Sequence, residues 1–493
     1  MVDQKRDYLS IVVLFMVNLV NNVDRYTIAG VLPDVQTYYN INDSMAGMIQ
    51  TVFLISFMIA SPICGYLGDR FNRKYVMMTG MVIWLICVCA STFIPRNLFP
   101  VFLVFRCLVG IGEASYVNIC PTMISDMFTK EKRTRVYMFF YLAVPVGSGL
   151  GYIISSNVEK WTGSWQWGVR STGFGGVVAL LLLFFCVYEP KRGAAEEMEG
   201  KIILKRSTSY YKDVKILIKC PTYVVTTLAY TSLVFVSGTL TWWMPTIIEY
   251  SIAWSRGYDS FDDLDKDVKT QVGIIFGLLT TGAGIVGVLF GNALAQCFLY
   301  GWLGPWSKTK RGHLVAAGCG AAVAVPCLVV VFMLGHKSEI LTWVMVGISI
   351  TGLCFNWSLN IEAFNQVIAP ERRSTAMSYV TLISHMFGDA SGPYIIGAIS
   401  DAIQANHEEN SEWAYKSLAY ASMVAPCMML ISTILYFTAA ILFKRDAAIL
   451  TRQMTVRDDD ENKPATKDVT SDDYWNDRFE SKISKVTIES EKF

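Results

Sequence analysis

The 493 residues are 53% hydrophobic and 17% charged, against about 25% charged in an average soluble protein, and the mean hydropathy is +0.38. Forty-two basic residues against 41 acidic ones leave a formal charge of +1, so there is no basic field to draw nucleic acid. The apolar residues fall in blocks of about 20 or more, long enough to cross a hydrocarbon layer near 30 Å, which excludes a soluble fold and makes the lipid bilayer a partner.

Hydropathy and flanking charge predict twelve spans, at 8–32, 45–67, 75–95, 98–123, 133–157, 170–188, 221–249, 272–302, 313–335, 339–368, 373–401 and 417–443. Span 1 follows Lys5 and Arg6 and runs about 25 residues without a small-residue cleavage site, which predicts a retained helix and not a secretory signal. The loops after even-numbered spans carry Arg70, Arg73 and Lys74; Lys130, Lys132, Arg133 and Arg135; Lys308, Lys310 and Arg311; and Arg372 and Arg373. The opposite loops hold few basic residues, none between Pro33 and Ser44, Arg96 after span 3 and Lys337 after span 9. Basic loops stay on the cytoplasmic side, so both termini are placed in the cytosol.

The polar stretch 189–219 separates six spans from six, the pattern of two similar bundles joined by a link. The expected organisation is all-α and polytopic: a six-helix bundle over 1–188, a cytoplasmic linker over 189–219, a second six-helix bundle over 220–445, and a cytosolic tail over 446–493. That tail carries the acidic run Asp458, Asp459, Asp460 and Glu461 and is expected to be mostly disordered, with a role in regulation or sorting. Most of the 12 cysteines lie inside apolar blocks and none in the outer loops, so no external disulfide framework is expected. The four histidines are scattered, which disfavours a metal site; no cofactor is expected.

Span 1 contains Asn21-Asn22-Val23-Asp24-Arg25. Between spans 2 and 3 stands Gly65-Tyr66-Leu67-Gly68-Asp69-Arg70-Phe71-Asn72-Arg73-Lys74. Its glycines let helices approach, and Asp69 at a helix end can pair with basic groups and latch the cytoplasmic face; alternatively, Asp69, Arg70, Arg73 and Lys74 are topology charges alone. Arg106, Gly110, Gly112 and Glu113 follow in span 4. In span 5 Gly147 and Gly151 are four apart, as are Gly287 and Gly291 in span 8, a spacing that favours close helix crossing over ligand contact.

The loop from Gly65 to Lys74 matches a signature of the major facilitator superfamily. The resemblance narrows at Asn21 to Arg25 with Ala29-Gly30-Val31-Leu32-Pro33, at Gly112-Glu113-Ala114-Ser115-Tyr116, and at Arg372-Arg373-Ser374-Thr375-Ala376 followed by Ser384-His385, Gly388-Asp389-Ala390, Gly392-Pro393-Tyr394 and Ser400-Asp401. Together these resemble the Spinster family, over residues from about 8 to 401. One departure is the loop 303–312, which has Lys308, Lys310 and Arg311 but no aligned aspartate. The resemblance implies a carrier, not an enzyme, for a lysolipid or sphingoid phosphate such as a lysophospholipid or sphingosine-1-phosphate, in a lysosomal, endosomal or plasma membrane. A monomer is expected.

A charge within the bilayer costs about 2.5–3.5 kcal/mol on insertion scales, so such groups face the bundle interior and find partners. Span 1 runs outward and span 4 inward; at about 1.5 Å per residue, Asp24 and Arg106 both lie roughly 12 Å below the outer edge and can pair. Glu113 is two turns beyond Arg106 on the same face. Asp24 and Glu113 are therefore candidates for proton exchange, with Arg25 or Arg106 pairing alternately with them or with an anionic head group. The alternative is a static ion-paired cluster that fixes helix packing.

Secondary candidates lie in the second half. Glu362 sits toward the cytoplasmic end of span 10, where gating and cargo contact are equally open. His385 and Asp389 are four apart on span 11, where the histidine can bond Asp389 and stay neutral or can serve as a proton site. Trp242, Trp243 and Pro245 read as an outer-interface aromatic anchor and kink. The function expected is alternating-access, proton-linked lipid transport. A carrier of small organic anions and a non-transporting receptor or lipid-modifying enzyme are the alternatives.

Overall fold

The computed structural model describes residues 2–128, 130–190, 210–258, 264–302, 309–368, 373–405, 407 and 410–461. No strand occurs among them. Span 1 is Val2–Gly30, continued by a short helix, Leu32–Tyr39. Spans 2, 3 and 4 are Asp43–Arg70, Arg73–Ser91 and Phe99–Met127. Span 5 is Lys130–Tyr141 with Ala143–Thr162, and span 6 is Trp165–Cys186. After Tyr210–Ile218 in the linker come spans 7, 8 and 9, at Pro221–Ser255, Lys266–Tyr300 and Gly312–Leu334. Span 10 is Glu339–Cys354 with Asn356–Val367, and span 12 is Ser411–Ala421 with Val424–Glu461. The last helix thus runs beyond the predicted end at 443; residues 462–493 of the tail, and 191–209 of the linker, lie outside the described residues.

Among the described residues eleven helical segments are long and apolar enough to cross a membrane. The remaining span of the twelve-helix fold, span 11, is divided into Arg373–Ser384 and Gly392–Gln404 by a π turn at His385–Asp389. Helix starts follow the local chemistry: the side chains of Asn42, Asn72 and Asn410 accept from the backbone N–H three residues on, at 3.1, 3.2 and 2.9 Å, satisfying donors that a helix leaves open. Spans 6, 8 and 12 begin at Trp165, Lys266 and Ser411, ahead of the predicted 170, 272 and 417, because a hydropathy window discards the polar first turns.

The first half packs around Leu14, Val17, Met77, Met81, Tyr116, Cys120, Met123, Phe140 and Leu183, which join spans 1, 3, 4, 5 and 6. Large apolar side chains such as Ile86, Phe93, Phe185, Ile340 and Ile441 are exposed on the outside, as hydrocarbon requires. The paired glycines work as packing positions: a methyl on Gly147 would lie 2.6 Å from Asn22 Cβ in span 1, and one on Gly291 would lie 2.8 Å from Phe355 Cα in span 10.

The halves meet along spans 2 and 11 and along spans 5 and 8. Thr281 Oγ1 donates to the Pro145 carbonyl at 3.0 Å, Thr270 Oγ1 to the Ser156 carbonyl at 3.4 Å, and Tyr152 OH to the Thr241 carbonyl. Gly47 faces the Pro393 carbonyl, and Gly149 faces Gly277. The hydrogen bonds and ion pairs named here between the halves fall between mid-span and the end read above as outer.

Candidate functional site

Asp24, 2% exposed, points into its own bundle, where it accepts from Trp84 Nε1 of span 3 at 3.1 Å and from Thr172 Oγ1 of span 6 at 2.6 Å. Arg106, 4% exposed, shares a cavity with Asp24, yet the two form no ion pair within 4 Å; Arg106 Nε and Nη2 have no hydrogen-bond partner among the described residues, and its guanidinium lies 5.2 Å from the Phe102 ring centre. Glu113 is also buried, next to the Asn21 side chain. These three residues face the protein interior, as the sequence argument requires, but the direct Asp24 to Arg106 pair is not made in this state.

The cavity is lined by Asp24, Arg25, Gln50, Phe53, Arg106 and Trp242 among others, and holds about 10 Å³, the room one water needs. Trp242 and Trp243 do not sit at a lipid interface as expected from sequence. Both are buried where the halves meet: Trp242 lines the cavity with Nε1 unpartnered, and Trp243 Nε1 donates to the Pro393 carbonyl at 3.0 Å. An indole satisfies its N–H inside a protein as well as at an interface, so residue type alone did not separate the two positions.

Arg25 finds its partner outside its own bundle. One residue further along a helix is about 100° further round, so with Asp24 turned inward Arg25 turns to the second half, where its Nη2 donates to Asp389 Oδ2 at 3.1 Å. His385 Nδ1 lies 2.9 Å from the other oxygen, Asp389 Oδ1. The π turn makes this possible: Ala390 N–H bonds back to the His385 carbonyl at 3.0 Å, Gly388 leaves helical geometry at ψ −105°, and Gly238 of span 7 gives Asp389 room that a Cβ would fill. The Ala390 carbonyl accepts from Thr51 Oγ1 of span 2 at 2.5 Å. Sequence reasoning placed His385 next to Asp389 but had no register between the halves with which to find Arg25.

In the loop signature between spans 2 and 3, Gly65 has open space where a Cβ would stand, and Gly68 faces Ile119 of span 4. Close helix approach therefore rests on Gly68 and not on Gly65. The side chains of Asp69 and Arg70 lie outside the described residues. Arg73 pairs with Asp126, and Lys74 Nζ donates to the Phe184 carbonyl at 2.6 Å. Glu362 is exposed and accepts from Gln366 at 3.2 Å, away from the central charges; residues 303–308 are outside the described residues.

Two clusters at the end read above as outer escaped the sequence analysis. Asp401 of span 11 accepts from the N–H groups of Asp43 and Ser44 at 3.0 and 2.8 Å and from the Ser44 hydroxyl, while Asp43 accepts from Ser400 Oγ at 2.6 Å and Gln36 Nε2 at 2.8 Å. A carboxylate of one half thus caps the helix of the other, where the helix dipole favours negative charge. The second cluster gathers Asp34, Glu159, Glu249 and Lys269, with Lys269 Nζ 3.5 Å from Asp34.

Residues 14–393 match the Major Facilitator Superfamily. The chain is 37% identical over 453 residues to protein spinster homolog 1 of Xenopus laevis, covering 90% of this chain and 82% of that protein. It is 36% identical over 429 residues to the sphingosine-1-phosphate transporter SPNS2 of Danio rerio, covering 87% and 83%. The fold is that of a bacterial homologue of the human lysosomal transporter Spinster, with a TM-score of 0.74 and 18% identity over 90% of this chain and 98% of that one. With its twelve-helix architecture and these relatives, the chain is an integral membrane transporter, not an enzyme, and belongs to the Spinster family of the major facilitator superfamily.

Proposed function

We propose that this transporter moves amphipathic lipids with an anionic head, lysophospholipids or sphingosine-1-phosphate-like sphingolipids, by alternating access, and that Asp24 and Glu113 exchange protons as it does so. The observation that carries the reading is Arg106: a buried guanidinium with Nε and Nη2 unpartnered, on a cavity it shares with Asp24 and Arg25. Guanidinium groups match phosphate and carboxylate geometry, and a carboxylate beside an arginine changes its hold on a proton when the arginine takes another partner. A lipid cargo is favoured over a small organic anion by the relatives, among them the sphingosine-1-phosphate transporter SPNS2 of Danio rerio. With the basic loops in the cytosol, the bonds that join the halves toward the outer end fit an inward-facing state.

A flux screen in reconstituted vesicles under a pH gradient tests this with lysophospholipids, sphingosine-1-phosphate and organic anions. Lipid flux that follows the gradient is expected; organic-anion flux alone would overturn the lipid assignment. Arg106→Ala should lower transport of an anionic lipid about tenfold or more relative to a zwitterionic analogue, the size of one charged hydrogen bond at about 1.5–3 kcal/mol. Equal losses for both cargoes remove the head-group role.

A further inference from the structure

Glu159 closes span 5, Glu249 lies near the end of span 7, Asp34 follows span 1, and Lys269 opens span 8. All four lie within electrostatic reach of one another at the end of the bundles read above as outer, and Lys269 and Asp34 join the two halves there. Lys269 stands 3.5 Å from Asp34. Among the described residues neither Glu159 nor Glu249 accepts a side-chain hydrogen bond or joins an ion pair within 4 Å, although the residues are only 7% and 4% exposed. Lys266 is a second cation within electrostatic reach of Glu159, while the other neighbouring charges are engaged elsewhere: Lys160 pairs with Asp267, Arg256 lies 3.5 Å from Glu339, and Lys416 lies 2.5 Å from Glu412. Two buried carboxyl groups, Glu159 and Glu249, thus share one interface with the buried Lys269 ammonium and the quarter-exposed Asp34, with a surplus of acid.

Burying an ionised carboxylate without a partner costs several kcal/mol, and the group neutralises instead. Lys269 and Lys266 offset part of the acidic charge, and a proton would neutralise the rest. We propose that Glu249 with Glu159 forms a second proton-binding site, distinct from Asp24 and Glu113, that closes the outer gate. The site exists only while the halves are together: Asp34 and Glu159 belong to one half and Glu249 and Lys269 to the other. Parting the halves returns both glutamates to water, where an ordinary carboxyl is ionised above about pH 4.3. Closure therefore takes up protons and opening releases them, so acid on the outer side favours closure and rising pH favours opening. The site does not depend on which cargo is carried.

The test uses the full-length protein in vesicles, with a donor and an acceptor fluorophore introduced as unnatural amino acids at the exposed outer-loop positions Arg96 and Lys337. In the wild type, energy transfer should fall as pH rises from about 5 to about 9, with the open-to-closed ratio changing at least about tenfold, the effect of one pH unit of displaced proton affinity. Glu249→Gln, neutral at every pH, should stay closed across the range, whereas Glu113→Gln should keep the wild-type titration at this end. Lys269→Gln removes the cation that offsets the acids and should move the midpoint upward. A wild type whose outer distance ignores pH, a Glu249→Gln protein that titrates like it, or a Lys269→Gln midpoint that moves down or stays in place would each overturn the proposal. Loss of the titration in Glu113→Gln would reassign it to the central site.

Discussion

Asp24 and Arg25 are neighbours in sequence with opposite duties. Asp24 is held by Trp84 and Thr172 within one bundle, while Arg25 reaches Asp389 in the other. Removing one member of a buried pair leaves an unpaired charge and costs about 3 kcal/mol, whereas removing both costs far less. Arg25→Gln alone should therefore lower the melting midpoint of the detergent-solubilised protein, and Arg25→Gln combined with Asp389→Asn should recover most of the loss. A double variant no more stable than the single one would mean that Arg25 draws its stability from its rings, Phe53 at 5.5 Å and Tyr26 at 6.0 Å. Glu113→Gln keeps the shape of the side chain and its contact with Asn21, so the protein should fold and bind cargo while its flux ceases to respond to a pH gradient. Unchanged pH dependence in vesicles would refute proton exchange at Glu113.

Span 11 departs furthest from a regular rod, and its break lies where the halves touch. The π turn at His385–Asp389 turns Asp389 toward Arg25, and the Gly392–Gln404 helix then presents Pro393 and Tyr394 to span 2. Gly47 is required there because a side chain would run into the backbone of the opposite half: an added methyl would lie 2.8 Å from Tyr394 Cα and closer still to the Pro393 carbonyl. Gly47→Ala should leave each half intact and disfavour closure by about 1–3 kcal/mol, a factor of about 5–150 in the conformational ratio. Energy transfer across the outer loops at a fixed acid pH measures it. A ratio equal to wild type would show that spans 2 and 11 give way at that point.

At the scale of the whole molecule, the fold was legible because twelve apolar blocks and a polar link leave few arrangements, and the relatives bear out the family. Asp24, Arg106 and Glu113 were legible as interior residues because the bilayer leaves charges nowhere else to go. What one sequence withheld is the register between halves: Arg25 with Asp389, Thr51 with the Ala390 carbonyl, and Glu159 near Glu249 all join residues from different bundles. The outer loops counted for charge, those after spans 1, 3 and 9, passed over Lys160, Lys266 and Lys269, which lie in the loops after predicted spans 5 and 7 and close or open helices in the structure. The loop charges still predict the orientation. Protease added to the cytosolic face should remove the segment after Glu461, and cleavage from the opposite face alone would invert the topology.

Asp401 makes the first turn of span 2 unfinished on its own. In the closed arrangement a carboxylate borrowed from the other half completes that turn, bonding the Asp43 and Ser44 N–H groups; once the halves separate, those donors and the Asp401 oxygens must all be wetted. Opening to the outside is thus also a hydration step, and its rate should slow in concentrated excluded osmolytes such as sucrose, which penalise newly exposed surface.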